Sequence, residues 1–563
     1  MRIILVVLAL ALTAVGDIAL WGLCNRPVSV PMPAGRLESL SYAPFRQGES
    51  PLSYDYASVA QIRQDLELVA TRAKGIRTYT SLEGMQSVPK IAAKLGLTMT
   101  AGAWLGSVLS TNEEEVSALI ADANRYPDTI KRVIVGNEVL LRNDLTPAQL
   151  AGYIRQVRLA IKQPVSYADV WEYWLKHPEI AEDVDFITIH ILPYWEDDPV
   201  GVKHAAAHIL AVYRLVQQRF PGKPILIGET GWPTAGRSRG PAVPGRVERA
   251  QFTAAFLALA RQQHYDYNIV EAFDQPWKSV LEGTVGANWG IFDVGRQLKS
   301  PPGQPIEENP AWLTDGAIAA ALGLLPGLLL LRRRPSWRVV LAFAALSQLL
   351  AACLVWAGFT GFAHSYSDAA DYWTGGKLVL ETGFALAILG TAARVLIPPR
   401  YDGAPAGSVY EALARDGSLA AVGDGLHLVL TLVAAALGIL LAADPRYRDF
   451  PIPDFLVPTL GLLAFKIIEF AKRGRAPLAY GSLFEASAEG CRTLPPSRAL
   501  LRLSLVLAVV IPIAALVSVV REGLDNQEAM VWVGLFLLMT LPYLAALRRR
   551  AKAVNAQVAR AAP

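Results

Sequence analysis

The sequence predicts an α/β chain, a (β/α)8 barrel followed by an all-α multi-pass membrane domain, with one more membrane helix at the N-terminus. Three observations predict it. Apolar, β-branched segments alternate with amphipathic stretches over residues 38–310. From Trp312 onward the chain changes to long apolar runs separated by basic clusters. The whole sequence is 53% hydrophobic and only 18% charged, with a mean hydropathy of +0.31, a combination that calls for membrane segments.

Residues 3–24 are apolar apart from Thr13 and Asp17. A cleaved signal would have a shorter apolar core and a small-x-small site after it. No such site follows, so residues 1–24 read as an uncleaved anchor, although a carboxylate such as Asp17 is costly in a bilayer unless it pairs or protonates. Residues 25–37 (NRPVSVPMPAGRL) form a Pro-rich linker, and 300–310 (SPPGQPIEENP) a second one.

Between the linkers, eight strand-like segments recur: 39–43, 76–80, 97–101, 132–137, 164–168, 185–191, 224–228 and 268–273. The intervals read as helix, for example residues 55–73 and 247–264. Alternating strands and helices build a parallel sheet, and eight units in this length suit a closed barrel. The competing open, doubly wound sheet would carry a Gly-rich phosphate loop after an early strand, and there is none.

Residues 311–550 contain seven apolar spans, 312–331, 337–358, 378–397, 426–443, 455–471, 499–520 and 530–547, and residues 551–563 form a tail. If the spans alternate, Arg332–Arg334, Arg338, Arg400, Lys472–Arg475, Arg548–Arg550 and Lys552 share one side. That side is cytoplasmic by the positive-inside rule, which puts the 38–310 domain on the other side and the tail in the cytoplasm. Arg2 before the anchor predicts the same orientation. Within the spans, Lys466 and Glu469 can pair on one helix face, while Glu381, His427 and Asp17 read equally as helix-helix glue or as functional groups.

The function classes narrow accordingly. A net charge of +4 with dispersed basic runs carries no nucleic-acid footprint. The three cysteines, Cys24, Cys353 and Cys491, leave residues 25–352 without thiols, so neither a disulfide nor a Cys/His metal site is expected there, and no cofactor. In a barrel the chemistry sits at the C-terminal strand ends. Strand four ends in Gly136-Asn137-Glu138 and strand seven in Gly228-Glu229-Thr230. One Glu at a strand end is usually solvated surface. Two from well-separated strands, aimed into one mouth, are the arrangement that retaining glycoside hydrolysis needs.

These residues resemble glycoside hydrolase family 17, the β-1,3-glucanase and glucanosyltransferase family. The matching stretches are IVGNE (134–138), IGETGWP (227–233), IRTY (76–79), DVW (169–171) and WGIF (289–292). The resemblance spans nearly all of 38–310 and implies Glu138 as acid/base and Glu229 as nucleophile, with Asn137 contacting the hydroxyl beside the reacting carbon. Near strand eight the run FDQPWK (273–278) has Gln275 where many members carry Glu. The acid must be protonated, so Glu138 is expected above its model value of ~4.3 through its like-charged neighbour, with the carboxyls ~5–5.5 Å apart.

Tyr42, Tyr79, Tyr194, Trp171, Trp232, Trp277 and Trp289 lie near predicted strand ends, and about half are expected to line a glucan cleft, the rest to pack the mouth. Asp169 and Lys278 complete the substrate-binding candidates, Glu271 is a cleft residue without a role, and His190 reads as a satisfied core or mouth histidine.

Similar bacterial proteins that fuse such a domain to a multi-pass tail imply remodelling or branching of β-1,3/β-1,6-glucan at the envelope of a Gram-negative cell. The expected partners are a β-glucan substrate, a sugar acceptor, membrane lipid and a glucan synthase. Endo-1,3-β-glucan hydrolysis is the near alternative, and a catalytically silent glucan-binding module a more distant one. A processive nucleotide-sugar transferase would need a cytoplasmic nucleotide domain, for which the loops 398–425 and 472–498 are too short.

Overall fold

The computed structural model describes residues 2–33, 35–397, 418–474, 498–545 and 547–548. Arg400, Arg475, Cys491, Arg549, Arg550, Lys552 and the expected tail 551–563 lie outside the described residues. Two compact units result, Pro27–Glu308 and Met1–Arg26 with Asn309–Pro563.

The first unit is a closed barrel of eight parallel strands in sequence order: β1 Leu37–Ser41, β2 Ala73–Arg77, β3 Thr98–Ala103, β4 Ile130–Asn137, β5 Val165–Val170, β6 Ile187–His190, β7 Ile225–Thr230 and β8 Asp266–Ile269. It closes where Leu40 of β1 pairs with Ile269 of β8. Helices follow the strands where the sequence predicts them. Val59–Ala70 begins at Ser58 and Pro147–Ala160 at Thr146, each with a capping box to a Gln three residues on. Ile62, Leu66 and Val69 on the first and Leu150, Ile154 and Val157 on the second are buried at helical spacing against the sheet. The barrel lumen is tied by polar side chains as well as packed. Asn268 donates to Ser41 Oγ at 2.7 Å and accepts from Ser39 at 2.7 Å, and Thr188 donates to Ser166 at 2.8 Å. β8 is shorter than its expected 268–273. The chain leaves the ladder after Ile269 but stays extended, with Val270 N donating to Thr230 O and Ala272 N to Ser41 O.

The second unit is helical. Among the described residues, seven helices are long and apolar enough to cross a membrane: Arg2–Cys24, Trp312–Arg333, Trp337–Ala363, Asp368–Leu396, Val422–Ala443, Leu501–Glu522 and Gln527–Ala545. These cover the N-terminal segment and six of the seven later spans expected. The exception is 455–471. A 3-10 turn at Pro453–Phe455 leads into a π turn at Val457–Gly461, and α-helix runs only from Leu462 to Arg473. Pro458 is the physical reason: it has no N–H to donate and its ring crowds the carbonyl one turn back, so the helix widens there. Large apolar side chains point outward from this unit, including Leu12, Val379 and Ile513, each more than half exposed. Glycines let helices close on one another. A Cβ at Gly323 would meet Gln348 Oε1 at 2.4 Å, and one at Gly438 would meet the Phe536 ring at 2.4 Å.

Candidate active site

Side chains alternate along a strand, so Leu226 and Gly228 share one face of β7 and Glu229 belongs to the other. The pairing overrides this. Register shifts between Ile227 and Thr230 against β8, and at Ile189/His190 against β6, bulge the strand and turn Glu229 into the mouth. β4 does the same: its register against β5 shifts between Ile134 and Asn137. Gly136 adopts φ +85° there, a conformation that disfavours any side chain, and a Cβ would also meet Val139 Cγ2 at 2.7 Å. At Gly228 a Cβ would meet Thr188 Cγ2 at 2.4 Å and Arg77 Nη1 at 3.4 Å, so the missing side chain leaves room for that guanidinium.

Arg77, at the end of β2 and 1% exposed, organises the centre. Its Nη1 donates to Gly228 O at 2.7 Å and to Glu229 Oε1 at 3.0 Å, and its Nη2 to Asn137 Oδ1 at 2.6 Å. The guanidinium lies 4.7 Å over the Tyr79 ring, whose hydroxyl is 2.8 Å from Ser41 Oγ. His190, at the end of β6, puts Nδ1 2.8 Å from Glu138 Oε1 and Nε2 3.5 Å from Glu229 Oε1. One ligand atom each of Glu138, His190 and Glu229 lie within 4.8 Å of one another. Those three are the donor set that a metal ion would need, but Arg77 Nη1, 3.3 Å from His190 Nε2 and 3.0 Å from Glu229, already supplies a cation at that point.

The electrostatics correct one expectation. Glu138 was expected to sit above its ordinary value through repulsion by Glu229. Burial does raise it, but the hydrogen bond and charge of His190, with Arg142 and Arg77, outweigh burial and hold the carboxyl below the usual range. Cations stand beside both carboxyls and offset their repulsion. Neighbouring groups shift the other way. Burial raises Asp169 to about 6, against hydrogen bonds from Tyr167 and Val170 N. Glu271, which accepts from Lys278 at 2.9 Å, is raised to about 7, again by burial. Burial lowers Lys278, but Glu271 and Glu282 outweigh it and the ammonium is held upward.

The structure places the other candidates as follows. Asn137 and Tyr79 join the Arg77 cluster, and Asp169 stands beside Glu138 with Leu141 N donating to it at 3.4 Å. Trp171, Trp277 and Lys278 are half-buried. Four aromatics lie deeper. Tyr42 is fully buried, edge-on to Phe273. Tyr194 is fully buried beneath Trp195, Trp232 and Trp289. Trp232, 1% exposed, donates to Val243 O at 2.9 Å. Trp289 is 4% exposed and stacked under Trp195 at 6.4 Å. Gln275 is fully buried, its amide donating to Ala43 O and Phe273 O, which a carboxylate could not do. The departure at that position is therefore occupied with holding the loop.

Sequence reasoning missed Arg77 as a site residue and undervalued His190. The signal for Arg77 was present, since a charge closing a β-branched strand must find partners.

Residues 39–290 match the family model of the BtgE/BtgC glycoside hydrolase domain. The chain is 27% identical over 266 residues to the Probable beta-glucosidase btgE of Aspergillus fumigatus, covering 45% of this chain and 45% of that protein. It is 24% identical over 293 residues to the Glucan 1,3-beta-glucosidase of Saccharomyces cerevisiae, covering 47% of this chain and 92% of that one. A solved structure, the glycoside hydrolase family 17 beta-1,3-glucanosyltransferase from Rhizomucor miehei, is 27% identical, with 47% of this chain and 95% of that chain covered and a TM-score of 0.42. The chain spans less than half the length of the first curated relatives it matches. The matched residues 39–290 fall within the 38–310 stretch that carries the family 17 resemblance.

Proposed function

We propose that the barrel is a retaining β-1,3-glucan-active enzyme that acts chiefly as a glucanosyltransferase, remodelling or branching β-1,3/β-1,6-glucan. One observation carries the reading: a carboxyl oxygen of Glu138 and one of Glu229 lie within 4.8 Å. Inverting enzymes separate their carboxyls by about 6.5–9.5 Å to admit a water, and retaining ones by about 5–5.5 Å. In this reading Glu229, oriented by Arg77, attacks the anomeric carbon while the leaving oxygen takes a proton from Glu138. Glu138 then accepts the proton of the incoming hydroxyl. Asn137, held by Arg77, faces the neighbouring sugar hydroxyl. Tyr79, Trp171, Trp277 and Lys278 contribute the walls, with Asp169 behind Glu138.

The family match and relatives named for β-glucosidase and 1,3-β-glucosidase activity support the substrate class. Those names equally favour hydrolysis, which is the second reading. Both share the glycosyl-enzyme and differ in the acceptor. Tethering favours transfer, because seven candidate spans would hold the domain near a nascent glucan and its synthase and raise the local acceptor concentration. The same spans suit an inner membrane with the barrel on the periplasmic side and the C-terminus in the cytoplasm. This count needs the stretch 453–473 to cross, because only then does Arg548 share a side with Arg332–Arg334.

The test is to incubate the full chain in detergent with laminari-oligosaccharides. Products longer than the substrate with β-1,6 linkages support transfer, and shorter reducing sugars alone refute it. Glu229→Gln should abolish turnover and leave glucan binding in place, whereas a silent binding module would show no turnover to lose.

A further inference from the structure

The proposed reaction needs one group that gives a proton in its first half and takes one in its second. Glu138 stands in the right place, yet its surroundings favour its charged form: Arg77 and Arg142 lie near it, and His190 bonds its Oε1 at 2.8 Å. His190 is 1% exposed and sits between the two carboxyls, its two nitrogens facing one each. A mouth histidine satisfied by the backbone would not span that gap.

We propose that His190 is a positioning residue that holds the proton of the acid step. It keeps that proton in the Glu138–imidazole hydrogen bond and couples its release to the charge on Glu229. The inference rests on the assignment of Glu138 as acid/base. The groups facing the imidazole are Glu138 just after β4, Glu229 on β7 and Arg77 on β2, with Asp169 on β5 acting at longer range. The pair starts the cycle with two protons, one in the Glu138–Nδ1 hydrogen bond and one on Nε2, which faces Glu229. As the bond from the anomeric carbon to Glu229 forms and the bond to the leaving oxygen breaks, that oxygen takes the proton shared by Glu138 and Nδ1. Glu229 is then a neutral ester, and the ring keeps one proton. Glu138 is left as a carboxylate, free to accept the proton of an incoming hydroxyl. When that hydroxyl's oxygen displaces Glu229, the proton returns to the pair and Glu229 regains its charge. Protons and charge balance over the cycle with no further reactant.

The test compares two donors on the full chain in detergent. A laminari-oligosaccharide needs a proton to release its leaving sugar, and a dinitrophenyl β-laminaribioside does not. In His190→Asn, first-turnover cleavage of the oligosaccharide should fall by about 10²-fold or more, the size of a general-acid effect, while the dinitrophenolate burst changes by less than about threefold. The basic limb of kcat/KM for the oligosaccharide should move, because Glu138 loses the hydrogen bond that holds it down. Equal losses on both donors, or an unmoved basic limb, would overturn the proposal, because a merely structural histidine slows both donors alike. Glu138→Gln is run beside it. If that variant shows no preference for the activated donor, the acid/base assignment fails. If it does and His190→Asn does not, only the role of His190 fails. Oligosaccharide affinity within about threefold of wild type, the activated donor's own threshold, certifies the fold, and His190→Gln provides the same comparison from a bulkier side chain.

Discussion

Both units bury ionisable groups, and they do so differently. At the barrel mouth polar and charged side chains converge: Arg77, Asn137, His190, Glu138 and Glu229 come from four strand ends and share hydrogen bonds. Among the described residues of the helical unit some pair locally, Lys377 pairs with the distant Asp454, and buried Asp17 and Glu381 each keep an oxygen without a hydrogen-bond partner. Lys466 and Glu469 are three residues apart on one helix, 3.0 Å from each other and nearly fully buried. His427 meets Tyr543 at 3.2 Å, and Tyr543 in turn meets Thr431 at 3.1 Å. The difference teaches what a buried charge means in each setting. A barrel folded in water also buries pairs such as Asp65 with Arg296 and Asp274 with Lys299, so its site is marked by five side chains sharing one network and not by burial alone. A helix whose outer face is apolar has no water to turn to, so a polar group takes the nearest partner on its own helix or the next, and burial alone marks no site.

Perturbation should separate the two. The largest effect is expected from Arg77→Met. It leaves Glu229 and Asn137 buried without their donor, and removing one partner of a buried pair costs about 3–5 kcal/mol. Thermal unfolding should show that loss together with near-complete loss of glucan turnover. A stable, active variant would erase the contrast. In the helical unit Lys466→Met should also destabilise, but the double change Lys466→Met, Glu469→Leu should restore most of the loss, as apolar replacements of buried pairs do. Chemical unfolding of the single and double variants in micelles checks this, and failure of the double to recover would make the pair more than glue.

A smaller loss is expected from Gly228→Ala. Its Cβ would press on Thr188 and crowd Arg77, which should cost about 1–3 kcal/mol as an overpacked site and lower kcat more than it raises KM. The smallest effect concerns pH. Asp169 at about 6 and Glu271 at about 7 are raised above their unfolded values near 4. The folded state therefore binds more protons than the unfolded state between those values, so their contribution falls as pH rises from about 4 to 7 and is level above. Glu271→Gln should flatten the decline of the unfolding midpoint between pH 5 and pH 7.5. An unchanged slope would remove Glu271 as its source.

Much of this was legible in the sequence, and the limits are physical. The eight strands and their helices could be read because apolar periodicity is local. Glu138 and Glu229 could be read because each lies at a strand end within two residues of a glycine. The helical spans could be read from hydropathy, except at 455–471, where Pro458 changes the helix type without changing its composition. Depth was not legible. Tyr79, Trp171 and Trp277 are half-buried and Tyr42, Tyr194 and Trp232 fully buried, although all sit near strand ends, because which side of a bulge or loop a ring falls on depends on its neighbours.

The sequence by itself determined the barrel, the change to apolar helices near Trp312 and the pair of carboxylates, since each is written in spacing along one stretch of chain. Only the tertiary structure decided that Arg77 and His190 stand with that pair, and that their charge holds Glu138 down instead of letting Glu229 push it up. Those partners are 113 residues apart from one another in the chain, and 152 residues separate Arg77 from Glu229. Closure of eight strands and two register shifts bring them within hydrogen-bond reach, and no local pattern encodes a distance set by the register of other strands.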